Sequence, residues 1–384
     1  MTAVLTEEQQ QVIQLARDFA REHIAPHAAR WDAEKHFDRP TIDRLGALGF
    51  LGMLVPEAYD GLGLDTVTYL LAVEEIAAAD ASVAVSVAVH NSLPTQMLLR
   101  HGSAAQKERW LKPMARGELL GAFALSEADA GSDAAGLRAR AVRSGDGWVL
   151  NGAKAWVSNG GTADVILAMV RTDPEGAPRG ARGIGCFVIP AGTAGLMPGK
   201  PEDKMGLRAS NTTALFFQDL RLGDEHLLGD PSSGFIYALE ALDSGRMGIA
   251  AQACGIARAA LEHATRYAAE RRQFGRPIKD FEAIQFKLAD MATRLSAARA
   301  LLHEAARRKD AGERTTRWAA MAKLCCSETA MWVATQAVQV FGGYGFMRDY
   351  PVERLMRDAK ATEIYEGTSE IQRLVIGREL LNSH

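Results

Sequence analysis

One carboxylate near the C-terminus stands where a general base would stand. In Ile364-Tyr365-Glu366-Gly367-Thr368-Ser369-Glu370 the acid follows a β-branched/aromatic pair and precedes a Gly-Thr-Ser turn. Apolar residues then resume at helical spacing (Ile371, Leu374, Val375), with Thr368 or Ser369 in place to cap the helix. Gly367 leaves the adjoining backbone uncrowded, which suits a single base aimed into a pocket. A capped helix after a glutamate is also ordinary, so this segment alone does not separate a catalytic acid from a surface one.

Five further segments combine polar groups with glycine. In Phe123-Ala124-Leu125-Ser126-Glu127-Ala128-Asp129-Ala130-Gly131-Ser132-Asp133 an apolar strand start runs into a Gly-Ser-Asp turn. Such a turn exposes backbone N–H groups that hold a ring carbonyl or a phosphate, or it simply closes a loop. In Lys154-Ala155-Trp156-Val157-Ser158-Asn159 an aromatic and a hydroxyl two apart share one side of a strand. They read as a ring-binding pair or as a core Trp beside a turn Ser. Asp243, Ser244 and Arg246 flank Gly245 inside a helical run, and Arg271-Arg272-Gln273-Phe274-Gly275-Arg276-Pro277 is a basic helix stop suited to a pyrophosphate or to solvent. Gln339-Val340-Phe341-Gly342-Gly343-Tyr344-Gly345 lets a backbone approach a ligand closely, or caps a helix.

The sequence contains no GxGxxG, P-loop, HExxH or GxSxG motif. Their absence argues against a doubly wound NAD enzyme, a nucleotide hydrolase, a zincin and a serine hydrolase. What remains is ring- and phosphate-binding groups, one carboxylate, no metal set and no evident nucleophile. A protein so equipped takes its electron chemistry from a cofactor.

The elements that must position these groups fall into three blocks. Thr6 with Gln9 predicts a capping box, with Val12, Leu15, Ala16 and Phe19 following at helical period until Pro26. Asp65 predicts a cap for a helix through Tyr69–Ala79, and Ser103 with Gln106 opens another that Gly117 ends. From Gly121 the period shortens. Leu137, Ala139 and Ala141 alternate with arginines, Ser144-Gly145-Asp146-Gly147 predicts a hairpin turn and Asn151-Gly152 a second. Strands are expected at Val165–Val170, Gly185–Ile189 and Thr213–Phe217, with an exposed loop over Arg171–Arg182. After Pro231, long helices are expected at about 234–270, 281–310 and 314–341. The fold class is therefore α+β: an α-helical domain over 1–120, an antiparallel β domain over 121–230 and an α-helical bundle, read as four-helix, over 231–384.

Bulk composition fits this plan. With 384 residues, 47% hydrophobic and 24% charged, the chain can bury a large interior across several domains. A net charge of −3 gives no reason to expect a nucleic-acid partner. Cys186, Cys254, Cys325 and Cys326 form no CxxC pair and read as small buried hydrophobes in a reducing compartment. Met1–Gln11 resembles no leader, and Val83–Val89 is too short to span a bilayer, so a cytoplasmic protein without membrane attachment is expected.

Taken together, the segments resemble the acyl-CoA dehydrogenase family from about Leu5 to Leu381. The resemblance is carried by FALSEADAGSD (123–133), NGAKAWVSNGG (151–161), LDSGRMGIA (242–250), FEAIQFKLADM (281–291), QVFGGYGF (339–346) and IYEGTSEIQR (364–373). The short-chain (butyryl-CoA) branch is most similar, with short/branched-chain members close behind. The resemblance implies FAD as cofactor and Glu366 as the base that takes the α-proton of an acyl-CoA, the β-hydride passing to flavin N5. It places Phe123, Leu125, Ser126, Gly131, Ser132, Trp156, Val157 and Ser158 at the flavin, with the Ser158 hydroxyl near N5. Ser132, Asp243, Ser244 and Arg246 fall to the CoA arm, with Gly367 also on the substrate side. Arg271, Phe274, Gln339, Val340, Gly342 and Gly343 would hold the pyrophosphate and adenosine of a neighbouring subunit's FAD, with Thr368 and Glu370 nearby. Glu282 stands where many relatives carry glutamine, so a cation such as Arg276 or Lys279 would have to offset it beside a phosphate. The same resemblance implies a homotetramer of paired dimers that passes electrons to electron-transferring flavoprotein. Glutaryl- or medium-chain acyl-CoA, or a non-dehydrogenase binding role, are the alternatives. The isovaleryl type carries its base on another helix, so Glu366 favours straight or 2-methyl-branched short acyl groups.

Overall fold

The computed structural model describes residues 5–174 and 180–382. The middle of the expected 171–182 loop and the first four residues of the chain lie outside the described residues.

The N-terminal block is built from α1 (Glu7–Phe19), α2 (Ala28–Glu34), α3 (Arg39–Ala47), α4 (Thr66–Ala79), α5 (Ala81–Ser92), α6 (Pro94–His101) and the short α7 (Ala104–Gln106) and α8 (Lys112–Ala115). Several of its helices start at residues that cap them. Thr6 and Gln9 form a reciprocal capping box, Asp65 caps α4 and Ser103 with Gln106 caps α7. Every residue of α5 is buried, as an apolar run too short for a membrane requires. Among the described residues no helix is long and apolar enough to cross a membrane.

The middle block is one eight-stranded sheet of β1 (Gly121–Ala124), β2 (Arg140–Ser144), β3 (Gly147–Ser158), β4 (Val165–Arg171), β5 (Ile184–Pro190), β6 (Leu196–Pro201), β7 (Thr212–Gly223) and β8 (Leu227–Leu228). The order is β6-β7-β3-β2-β4-β5-β8. Most of the ladder is antiparallel, while β1 pairs parallel with β4 and β2 touches β4 in the same sense. β4 is buried along its whole length because both faces are covered. Val165, Leu167 and Met169 face the helices, and Ile166, Ala168 and Val170 face a core inside the sheet.

Two local expectations are corrected here. The alternation at Leu137–Ala141 becomes a strand only from Arg140, because the Glu127 carboxylate takes the Arg138 and Ala139 N–H groups at 2.7 and 2.9 Å, outside the ladder. Asn151-Gly152 is no hairpin but an irregularity inside continuous β3. Its Asn bonds across the sheet to Asp219, and a Cβ on Gly152 would lie 2.6 Å from the Ala139 Cα.

After the sheet come α9 (Gly234–Glu270), a small hairpin of β9 (Arg272–Gln273) and β10 (Arg276–Pro277), α10 (Glu282–Asp310), α11 (Thr316–Phe341), α12 (Pro351–Thr362) and α13 (Ser369–Leu381). α9 runs unbroken through Asp243–Arg246. Its small residues admit neighbours closely: Gly255 meets the Glu74 carbonyl of α4, and Gly248 meets the Tyr69 hydroxyl. One apolar core thus joins the first helical block to the last. The sheet is tied to α12 by the Leu207 N–H, which donates to Asp358 Oδ1 at 2.6 Å.

Candidate active site

Glu366 sits in the tight connection between α12 and α13. Its own φ is +52° and that of Gly367 is +92°, so two consecutive left-handed residues turn the chain. Thr368 caps α13, its hydroxyl accepting the Ile371 N–H at 3.3 Å. The Gln372 side-chain amide donates to the carbonyls of Glu366 (3.1 Å) and Gly367 (2.9 Å), and the Lys323 ammonium donates to the Gly367 carbonyl at 2.7 Å. Among the described residues the Glu366 N–H finds no acceptor in the chain.

The turn aims the Glu366 side chain at α9. A Cβ on Gly245 would lie 2.1 Å from Glu366 Oε2, so the carboxylate rests where only a glycine leaves room. Both of its oxygens are buried and, among the described residues, neither has a hydrogen-bond partner. Burial pushes the carboxyl up to about 8, against the pull of the Lys323 and Arg246 cations. Burial and the Glu366 charge also raise the neighbouring Tyr69 and Tyr365 hydroxyls. Tyr365 donates to Gln252, which is itself anchored to the Ala81 carbonyl.

Glu366, Gly367 and Thr368 line a cleft of about 470 Å³ between the sheet and α9. The sheet side brings Phe123, Leu125, Ser126, Gly131, Ser132, Trp156 and Ser158, while α9 brings Leu242 and Arg246. The irregularity between Lys154 and Val157 gives Trp156 a φ of +54° and leaves its ring 57% exposed to the cleft. Below it the Lys154 ammonium, buried, holds the Leu125 carbonyl at 3.1 Å and the Glu127 carboxylate at 2.7 Å. The Ala155 N–H donates to the Ser126 carbonyl at 2.9 Å, fixing these two segments of the cleft wall to each other.

Other expected site residues lie elsewhere. Val157 is 2% exposed, packs in the sheet core and is not among the residues lining the cleft, so, contrary to expectation, its side chain is not placed at the flavin site. Asp243 is engaged by Arg246 at 2.6 Å and by the Thr316 hydroxyl at 2.7 Å, and Ser244 accepts from Lys309 at 2.6 Å. Arg271, Val340, Gly342 and Gly343 line a second cleft of about 500 Å³ that shares no residue with the first. Among the described residues nothing stands within 4 Å of a Cβ on Gly342 or Gly343, so the space beside that backbone is open. The Arg271 guanidinium lies over Tyr344 at 5.3 Å. Phe274, on the β9–β10 hairpin, is 92% exposed, and Gln339 and Glu370 are exposed too. Arg276 stacks on Phe281 at 4.1 Å, and among the described residues no ion pair joins it or Lys279 to Glu282.

Sequence reasoning missed Lys323, Tyr69, Gln252 and Gln372. Lys323 alone left a signal: a lysine on the buried face of α11, between Ala319 and Cys326.

The residues present fit a flavin and an acyl thioester. An exposed indole beside two hydroxyls faces an orphaned buried carboxylate, and a glycine cradle with an arginine lies apart from them. Family models describing the acyl-CoA dehydrogenase N-terminal, middle and C-terminal domains match residues 6–118, 122–220 and 232–381. The chain is 47% identical over 380 residues to a mitochondrial short-chain specific acyl-CoA dehydrogenase of Mus musculus, covering 99% of this chain and 92% of that protein. The solved butyryl-CoA dehydrogenase of Megasphaera elsdenii matches with a TM-score of 0.96 at 45% identity, over 99% of this chain and all of that one (100%). A chain solved in work on the electron transferring flavoprotein of Acidaminococcus fermentans and flavin-based electron bifurcation matches with a TM-score of 0.97 at 45% identity, over 99% and 100%.

Proposed function

This chain belongs to the acyl-CoA dehydrogenase family of FAD-dependent oxidoreductases, and from that premise we propose that it converts a short-chain or short 2-methyl-branched acyl-CoA to the trans-2-enoyl-CoA. The observation that carries this reading is the Glu366 carboxylate, its oxygens buried without a partner among the described residues, in the wall of the cleft. Glu366 takes the α-proton. A base for so weak an acid works best with a pKa near the working pH, and burial lifts this carboxyl to about 8. The unclaimed Glu366 N–H points to a donor for the thioester carbonyl, which lowers the barrier by stabilising negative charge as it develops. Bound FAD supplies the acceptor for the β-hydride at its N5.

Trp156, Ser126, Ser158, Leu125 and Phe123, which line the cleft, would hold the flavin ring, the two hydroxyls as hydrogen-bond donors. Gly131 and Ser132 give the backbone and hydroxyl at the mouth of the cleft, next to the CoA arm. Arg246 reaches that arm directly, whereas Asp243 acts by orienting Arg246. Arg271, Phe274, Gln339, Val340, Gly342 and Gly343, with Glu370, serve the pyrophosphate and adenosine of a cofactor bound by another copy of the chain. That arrangement makes the protein an obligate oligomer, a tetramer of paired dimers. Electrons leave to an electron-transferring flavoprotein, a partner suggested by the Acidaminococcus match.

Anaerobic titration with butyryl-, isobutyryl-, 2-methylbutyryl-, isovaleryl-, glutaryl- and octanoyl-CoA tests the reading through flavin bleaching. Butyryl- or 2-methylbutyryl-CoA should bleach fastest; a protein that stays colourless after FAD is supplied refutes the assignment. Glu366→Gln should keep its colour and bind thioester but bleach about 10²–10⁴-fold more slowly, the usual worth of a positioned base.

A further inference from the structure

Lys323 has no part in the chemistry assigned above, yet its placement is expensive. It sits on α11 among Ala319, Ala322, Cys326 and Ala330, fully buried in the helical core. An ammonium taken out of water needs an opposing charge or a full set of acceptors. Its hydrogen bond goes to the Gly367 carbonyl, which already receives the Gln372 amide at 2.9 Å. A neutral side chain would serve that carbonyl equally well. What a neutral side chain cannot supply is positive charge beside Glu366.

Several groups face that carboxylate. Arg246 comes from α9, Lys323 from α11 and the Tyr69 hydroxyl from α4, with Tyr365 adjacent in the turn. Glu363 and Glu370, at the ends of the flanking helices, act on Lys323 from farther out. Of the two cations, Arg246 is bound to Asp243. Among the described residues Lys323 forms no ion pair, so its charge is left to act on the turn.

We propose that Lys323 is a positioning residue for Glu366. Its ammonium pins the Gly367 carbonyl, holds the two left-handed residues that aim Glu366 into the cleft, and supplies positive charge on the side of the turn where the carboxylate forms. This rests on Glu366 being the base. Burial lowers Lys323 to about 8 while the Glu366 charge pulls it back up, and Lys323 in turn draws Glu366 down from where burial would leave it. The sign is therefore fixed. Without Lys323, Arg246 alone opposes burial, and the carboxyl keeps its proton to higher pH.

Acetoacetyl-CoA is the probe. Its α-proton is acidic and its β-carbon has no hydride to give, so its bound enolate beside oxidised FAD shows a long-wavelength charge-transfer absorbance without turnover. The complex loses one proton as that band appears, and the pH midpoint of the band reports how well the site stabilises one negative charge. Wild type, Lys323→Met, Lys323→Gln and Glu366→Gln holoenzymes are titrated and their FAD content and Tm recorded. Lys323→Gln keeps a donor for the Gly367 carbonyl and serves where the methionine variant does not fold. Both lysine variants should move the midpoint up by about one pH unit or more, the effect of removing a neighbouring opposite charge. With substrate, kcat at neutral pH should fall while KM holds. A lysine that only packs would lower Tm and leave the midpoint at the wild-type value, and that result overturns the proposal. Glu366→Gln retaining both the pH-dependent band and activity overturns the base assignment instead, so the two failures are distinguishable.

Discussion

A carboxylate whose oxygens have no hydrogen-bond partner among the described residues is unusual, since buried polar atoms in folded proteins are nearly always satisfied. For Glu366 as the proposed base the exception matters: an acid already hydrogen-bonded would be stabilised as an anion and would be a weaker base. Desolvation does the opposite and raises it to about 8. The pH dependence follows with a definite sign. The base works only without its proton, so kcat/KM for a short acyl-CoA should climb about tenfold per pH unit on the acid side and level off above about pH 8. A stopped-flow reduction series from pH 6 to 9 measures this. A flat profile across that range would mean that Glu366 is already ionised at pH 6, and the account of its burial would be wrong. The identity of this residue was legible in the sequence because a turn and a cap surround it. Its left-handed φ was not, because non-glycine residues rarely adopt one and nothing local in Ile364-Tyr365-Glu366 demands it. The demand comes from Gln372 and Lys323, which bind the turn's carbonyls from two other helical positions.

The helix opposite sets how much room that carboxylate has. Gly245 lies inside α9, where alanine is ordinarily the better helix former by about 1 kcal/mol. Here its Cβ would stand 2.1 Å from Glu366 Oε2 and 3.0 Å from Leu93 Cδ2. Gly245→Ala should therefore leave Tm and FAD content close to wild type and displace the base, with kcat reduced at least about tenfold, since misplacement near 1 Å can cost about 10²-fold. Unchanged kcat would show that the turn relaxes without cost to the chemistry. Helix limits themselves read well from sequence: 234–270, 281–310 and 314–341 were expected, and α9, α10 and α11 occupy Gly234–Glu270, Glu282–Asp310 and Thr316–Phe341. Long runs of alanine and leucine at helical period carry that information locally. Asn151-Gly152 misled because the dipeptide has the local chemistry of a turn, while its Asn is claimed by Asp219 on another strand, 68 residues away. Lys323 escaped for a similar reason: its acceptor lies 44 residues further along, and only the fold brings the two together.

At the scale of the whole molecule, the order of helical, β and helical blocks was legible from the changes in period. That the first and last blocks share one core was not. Periodicity shows which face of a helix is buried but not against what, and α4 on α9 is a contact between residues far apart in the chain. The same limit applies between chains. The cleft holding Trp156 and Glu366 and the cleft holding Arg271 and Gly343 have no residue in common. On the proposed reading, a cofactor with its ring in the first has its adenosine end at the second cleft of another copy. The surface agrees with this: Phe274 is 92% exposed, Phe346 82% and Phe286 64%, large aromatics that a lone chain would leave in water. Wild type should sediment as an oligomer with one FAD per chain. The double variant Phe274→Asp/Phe346→Asp should shift toward smaller species and lose at least about half of its bound flavin, read as the ratio of 450 to 280 nm absorbance alongside the sedimentation profile. Loss of oligomer without loss of flavin would place the whole cofactor in one chain and remove the reason for assigning Arg271, Gln339 and the Gly342-Gly343 cradle to a neighbour.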